Sequence, residues 1–189
     1  MKSNSEINRI IKFIINIINS ENNLSKHLVF SSKSICKNKI LILSKVKQRN
    51  IYHYVNEAID NNIKAIVTCN KIDLKKISKE IPILYTKILE SNINLLLSHI
   101  YSNPLKDKHI IGVTGTDGKS STVNYLAQSL SNNIINKKVG IISSYGNGIY
   151  PKLFKNSYTT PPPNILFKYL EKFNKENVDI IIIECSSHG

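Results

Sequence analysis

Arginine is almost missing from this chain. Arg9 and Arg49 are the only two in 189 residues, so the net charge of +13 rests on lysine. Proteins that read bases favour the arginine fork over the lysine point charge. The lysines are also scattered rather than blocked, and Asn, Ile and Lys abound along the whole chain, the pattern an AT-rich genome produces. No nucleic-acid partner is expected. Cysteine is scarce: Cys36, Cys69 and Cys185 form no CxxC pair and no metal spacing. They read as buried apolar thiols in a reducing compartment. No apolar run reaches transmembrane length. The N-terminal stretch MKSNSEINRIIKFIINIINS is broken by Asn and Lys and is followed by no small-residue cleavage site, so it does not read as a signal peptide. A cytoplasmic protein without a membrane partner is expected.

What is present is ordinary globular material. Hydrophobic residues make up 41% of the chain, enough over this length to bury a core. Helical spacing of Ile over 5–19 predicts a helix. Strands are expected at 39–44, 64–68 and 82–86. A helix is expected over 51–61, with Tyr54, Ala58 and Ile59 inward, and another over 87–101. A polar break, SNPLKDK (102–108), marks a domain boundary, placed between 106 and 107. Beyond it the pattern reads strand 109–114, glycine loop, helix 119–131, strand 138–143, a Gly/Asn/Tyr loop, helix 164–175 and strand 178–184. DIIIIE (179–184) is a continuous apolar run ending in a carboxylate, which suits a central parallel strand. The alternation of strands and helices makes the fold class α/β.

The chemistry concentrates in GVTGTDGKSS (112–121). Glycines let backbone N–H groups face an anion, and the start of a helix adds unpaired donors and partial positive charge. Lys119 can reach terminal phosphates, and the Ser120 hydroxyl can ligate Mg²⁺. The pattern GxxxxGK[ST] fails by one residue, because its first position falls on Val113. The alternative is a loop that merely turns a strand into a helix.

The stretch GVTGTDGKSSTVNYLA resembles the ATP loop of the Mur ligases, usually GxTGTNGKT. Glu184-Cys185-Ser186-Ser187-His188-Gly189 resembles the E-x-SSHG element of the MurE-type members, the UDP-N-acetylmuramoyl-alanyl-glutamate ligases. Between them, Thr159-Thr160-Pro161 resembles the TTP segment, and VGIISSYGNGIY the region before it. In the N-terminal part, YVNEAIDNNIKAIV is similar to the family's FIxxAIxxGAxAIV, and Ser31-Ser32-Lys33 stands where Asp-Ser-Arg is usual. The resemblance implies a small N-terminal α/β domain (1–106) for the UDP-substrate. It also implies the start of a P-loop-type central ATPase domain with a mainly parallel sheet (107–189).

By that resemblance, Gly115, Thr116, Asp117, Gly118, Lys119, Ser120 and Ser121 hold ATP. Asp117 replaces the commoner Asn, and a carboxylate beside phosphates is repulsive unless it faces away or pairs with a cation. Ser120 and Glu184 hold Mg²⁺, with Lys119 and Glu184 catalytic. Ser32, Thr159, Thr160 and Ser186 contact the UDP-MurNAc-dipeptide, and His188 shapes the site. The implied reaction is ATP-dependent amide formation through an acyl phosphate, for which an amino-acid-binding domain and a carbamate lysine are expected elsewhere, from more of the chain or from a second one. A nucleotide-binding remnant without catalysis is the alternative. The strands of 109–189 are expected to lack neighbours, leaving apolar edges and an unstable segment.

Overall fold

The computed structural model describes residues 2–34, 37–44, 46–132, 135–155, 158 and 160–186. Thr159, Ser187, His188, Gly189 and Cys36 therefore lie outside the described residues. The chain forms two compact units, Met1–Ser102 and Asn103–Gly189.

The first unit runs α1 (Lys2–Ile18), β1 (Leu28–Val29), β2 (Ile40–Leu43), α2 (Ile51–Asp60), β3 (Ala65–Thr68), β4 (Ile83–Tyr85) and α3 (Ile93–Ile100). The strands lie in the order β1-β2-β3-β4, and every neighbouring pair is parallel. Every residue of β2 and β3 is buried. Coverage of both faces is why ILIL and AIVT are unbroken apolar runs instead of alternating ones. Helix α1 buries Ile7, Ile10 and Ile14 completely, a three-then-four spacing that keeps one face inward.

Three expectations differ here. On α2, Val55 is fully buried with Ile51, Ala58 and Ile59, while Tyr54 is half-buried. Tyr54 packs its ring on the rim of that core, as a side chain with a polar tip does. Helix α3 starts at Ile93 instead of 87. The backbone and side-chain amides of Asn92 both donate to the Ile88 carbonyl at 3.0 and 3.1 Å, closing a turn ahead of the helix. Cys69 is half-buried, because its thiol points to the Ser44 carbonyl, 3.2 Å away, at the end of the sheet. Burial, with the charge of Glu90 adding to it, pushes this thiol above its ordinary pKa.

The second unit runs β5 (His109–Val113), α4 (Lys119–Leu130), β6 (Val139–Ser143), β7 (Gly146–Ile149), β8 (Lys152–Phe154), α5 (Pro163–Lys175) and β9 (Ile180–Glu184). Its sheet has the order β5-β9-β6-β7-β8. The last strand in sequence is inserted between β5 and β6, parallel to both. Two antiparallel strands, β7 and β8, extend the sheet where a loop was expected. Their glycines and polar residues mask the strand pattern.

Val123 and Ala127 of α4 pack with Val139, Ile141 and Ile182 of the sheet. Neighbouring strand residues face opposite ways, and Gly140 receives α5: a Cβ there would lie 2.9 Å from the Phe173 ring. β5 is an edge strand with Ile110 46% exposed. β9 and β6, by contrast, are flanked on both sides. Cys185, half-buried, follows β9, and its N–H donates to the Val113 carbonyl at 2.8 Å.

Candidate nucleotide and cation site

The carboxyl ends of β5, β9 and β6 lie side by side, and the residues that leave them converge. In open α/β sheets this edge is where ligands collect. After β5 the chain turns through 114–118, all exposed, into α4. Gly118 caps that helix with φ 73° and ψ 0°. A Cβ there would meet nothing within 4 Å, so the left-handed backbone and not a lack of space calls for glycine.

Thr122 N–H to the Gly118 carbonyl, 2.9 Å, is the first helical bond of α4. The N–H groups of Lys119, Ser120 and Ser121 precede it and have no acceptor within the helix. They point out of the positive end of a helix of 12 residues. The Lys119 ammonium folds back over the loop and donates to the carbonyls of Gly115 and Thr116 at 2.8 and 2.9 Å. Asp117 is exposed on the same loop.

Glu184 ends β9 and is only 2% exposed. Its two carboxylate oxygens have different partners. Oε1 accepts from the Ser120 hydroxyl at 2.9 Å. Oε2 accepts from both the backbone N–H and the hydroxyl of Ser144, each at 2.8 Å. The two serine hydroxyls also meet, 2.7 Å apart. Burial by itself would raise the Glu184 pKa. The Ser144 N–H and hydroxyl, the Ser120 hydroxyl and the Lys119 charge outweigh it and hold the carboxyl below the ordinary glutamate range. A buried, ionised carboxylate therefore sits beside a hydroxyl at the start of the glycine-loop helix.

Thr160 and Ser186 come together on the same edge. The Thr160 hydroxyl donates to the Glu184 carbonyl at 3.1 Å and accepts from the Ser186 N–H at 3.0 Å. It is a strut between the segment before α5 and the end of β9. Ser121 is half-buried in the first turn of α4.

Ser32 belongs to the first unit. It is 2% exposed, and its hydroxyl donates to Glu57 Oε2. It lines a cleft of about 380 Å³ with Phe30, Val46, Lys47, Asn50 and Tyr54, at the carboxyl ends of β1 and β2.

Ser144 escaped the sequence reading. It lies in a glycine-containing stretch that looked like a plain loop. The available signal was its place immediately after a strand that runs parallel to the one ending in Glu184.

Residues 113–189 match the Mur ligase middle domain. The UDP-N-acetylmuramoyl-L-alanyl-D-glutamate--2,6-diaminopimelate ligase of Wigglesworthia glossinidia brevipalpis is 32% identical over 163 residues, 84% of this chain and 32% of that protein. A solved structure of a ligase of the same name superimposes with a TM-score of 0.68 at 21% identity, covering 86% of this chain and 32% of the other. MurF ligase from Thermotoga maritima, solved in complex with ADP, follows with a TM-score of 0.52 at 18% identity over 89% of this chain and 34% of that one. At those identities the two solved structures speak for the fold. The chain spans about a third of the length of these proteins. The chain is thus similar to the Mur ligases: residues 113–189 match the family's middle domain, and most of the chain aligns with ligases of the MurE type.

Proposed function

We propose that the second unit binds ATP with Mg²⁺ as part of a ligase that adds an amino acid to UDP-N-acetylmuramoyl-L-alanyl-D-glutamate. The observation that carries this is the Ser120–Glu184 pair at 2.9 Å, set at the N-terminus of the helix that follows the glycine loop. The aligned ligase relative supports the same reading.

The donor set fits a hard cation. A hydroxyl and an ionised carboxylate are oxygen ligands, and Mg²⁺ is commonly held by one or two carboxylates together with phosphate oxygens. Among the described residues no group of three or more His, Cys, Asp or Glu could hold a metal alone, so phosphate would complete the set. Bound there, Mg-ATP would supply the phosphoryl group that activates a substrate carboxylate for amide formation, with ADP and then phosphate as leaving groups.

The protein's own share is positioning and charge. The N–H groups of Lys119, Ser120 and Ser121 orient the phosphates. The Lys119 ammonium exchanges its two loop carbonyls for phosphate oxygens and neutralises charge as it develops. Gly115, Thr116, Asp117 and Gly118 shape the cradle, with the Asp117 carboxylate turned to solvent. Thr159, Thr160 and Ser186 set the substrate beside Glu184. The Thr160 hydroxyl already has its donor and one acceptor position engaged, so it mainly fixes the geometry. The cleft at Ser32 holds the UDP end.

Calorimetric titration of the chain with Mg-ATP tests the reading. Wild type binds, and Lys119→Ala binds about ten- to a hundredfold more weakly, the range for a charge-assisted hydrogen bond. Equal affinity for the two proteins would remove Lys119 from the site.

A further inference from the structure

The amide of Asn147 is completely buried on β7, yet only half of it is used. Its Oδ1 accepts from the Ser143 N–H at 3.2 Å. Its Nδ2 has no hydrogen-bond partner among the described residues. A buried donor left without a partner is costly, and such groups are rare in native structures. The position therefore calls for a reason other than stability.

Placement supplies one. β6 and β7 form a hairpin in which Ser143 pairs with Gly146, leaving Ser144 and Tyr145 as the turn. Ser144 holds Glu184 Oε2 through both its N–H and its hydroxyl. Asn147 fastens the residue directly before Ser144. The Ser143 hydroxyl, itself buried, ties the same turn to the Gly146 carbonyl at 3.3 Å.

The strand that carries Asn147 is closely packed in turn. Gly146 and Gly148 have φ 148° and 156°, and a Cβ on Gly148 would lie 2.4 Å from the Lys152 carbonyl of β8. Glycine on either side of Asn147 lets β8 close against the strand.

We infer that Asn147 is a positioning residue. It fixes the β6–β7 turn so that Ser144 holds Oε2 of Glu184, leaving Oε1 directed at Ser120 and the cation position. It touches no substrate and acts through Ser143 and Ser144. Its bearing on cation binding rests on the function proposed above; its hold on the turn does not.

The test uses the full chain with Asn147→Ala, Asn147→Leu and Asn147→Asp. Aspartate keeps the acceptor; alanine and leucine remove it, and leucine keeps the volume if alanine does not fold. The first readout is hydrogen exchange at the Ser144 amide. Protection there is expected to fall about tenfold or more in the Ala and Leu variants and to persist in Asp, with Ile181 and Ile182 of β9 unchanged. This rate is set by local opening. The second readout is the Mg²⁺-dependent part of ATP affinity, expected to fall about tenfold in Ala and Leu. It should fall no further when Ser144→Ala is added, because residues acting through one contact are not additive. Unchanged Ser144 protection, or additive losses with Ser144→Ala, overturns the inference. If wild type binds no ATP, the proposed function fails, and the Ser144 amide still decides the role of Asn147.

Discussion

Ser144 holds Glu184 from outside the glycine loop, donating its N–H and its hydroxyl to the same oxygen at 2.8 Å each. The carboxylate is thereby fixed by a hairpin turn on one side and by the loop helix, through Ser120, on the other. Ser144→Ala removes one of the two bonds to Oε2 and the contact with Ser120. Hydrogen bonds to charged groups contribute about 1.5–3 kcal/mol. The variant should fold and bind Mg-ATP at least about tenfold more weakly. Isothermal titration reads this directly, and wild-type affinity would show the hydroxyl to be dispensable.

The ionised state of Glu184 links the site to acid stability. Its folded-state pKa lies below its unfolded value. Its stabilising contribution is therefore full above the unfolded value and is lost as pH falls through the folded one. Urea midpoints of the second unit should fall on acidification through and below the ordinary glutamate range. In Glu184→Gln that part of the slope disappears. Parallel curves for the two proteins would mean that the carboxylate gains nothing from its partners.

Much of this was readable from pattern alone. ILIL and AIVT announce strands, and DIIIIE a central parallel one, because strands covered on both faces need no polar alternation. GTDGKSS reads as a candidate anion site because glycine, lysine and a hydroxyl at a helix start suit that purpose, and the structure does place them at the start of a helix. Ser144 could not be read the same way. Its role depends on the β6–β7 register and on the insertion of β9 beside β6, and it lies 40 residues from Glu184 in sequence. Asn147 is subtler still, since an asparagine between two glycines reads as a turn. On α2, choosing between adjacent Tyr54 and Val55 required the helix phase, which a 10-residue helix sets loosely from sequence.

Gly118 is a conformational requirement. At φ 73° an alanine meets no neighbour but leaves the favourable backbone regions. Gly118→Ala should cost about 1–2 kcal/mol and reduce ATP affinity by misdirecting the first N–H groups of α4. Thermal melts and titration check the two effects; a melt equal to wild type would contradict the left-handed cap.

The open edge at β5 makes a separate prediction. Ile110 is 46% exposed on an edge strand, a template for pairing with other chains. Ile110→Lys should lower self-association in sedimentation velocity, since lysine on an edge blocks strand addition. Self-association equal to wild type would mean that the edge is not what chains adhere through.

The central claim is that Ser120 and Glu184 hold a cation shared with bound ATP. The most direct measurement is ATP titration of the chain with and without Mg²⁺, for wild type and Glu184→Gln. Wild type should lose about tenfold or more in affinity when Mg²⁺ is withheld, while Glu184→Gln should bind ATP equally weakly in both conditions. A Glu184→Gln protein with the full wild-type response to Mg²⁺, or a wild type indifferent to the cation, would contradict the account.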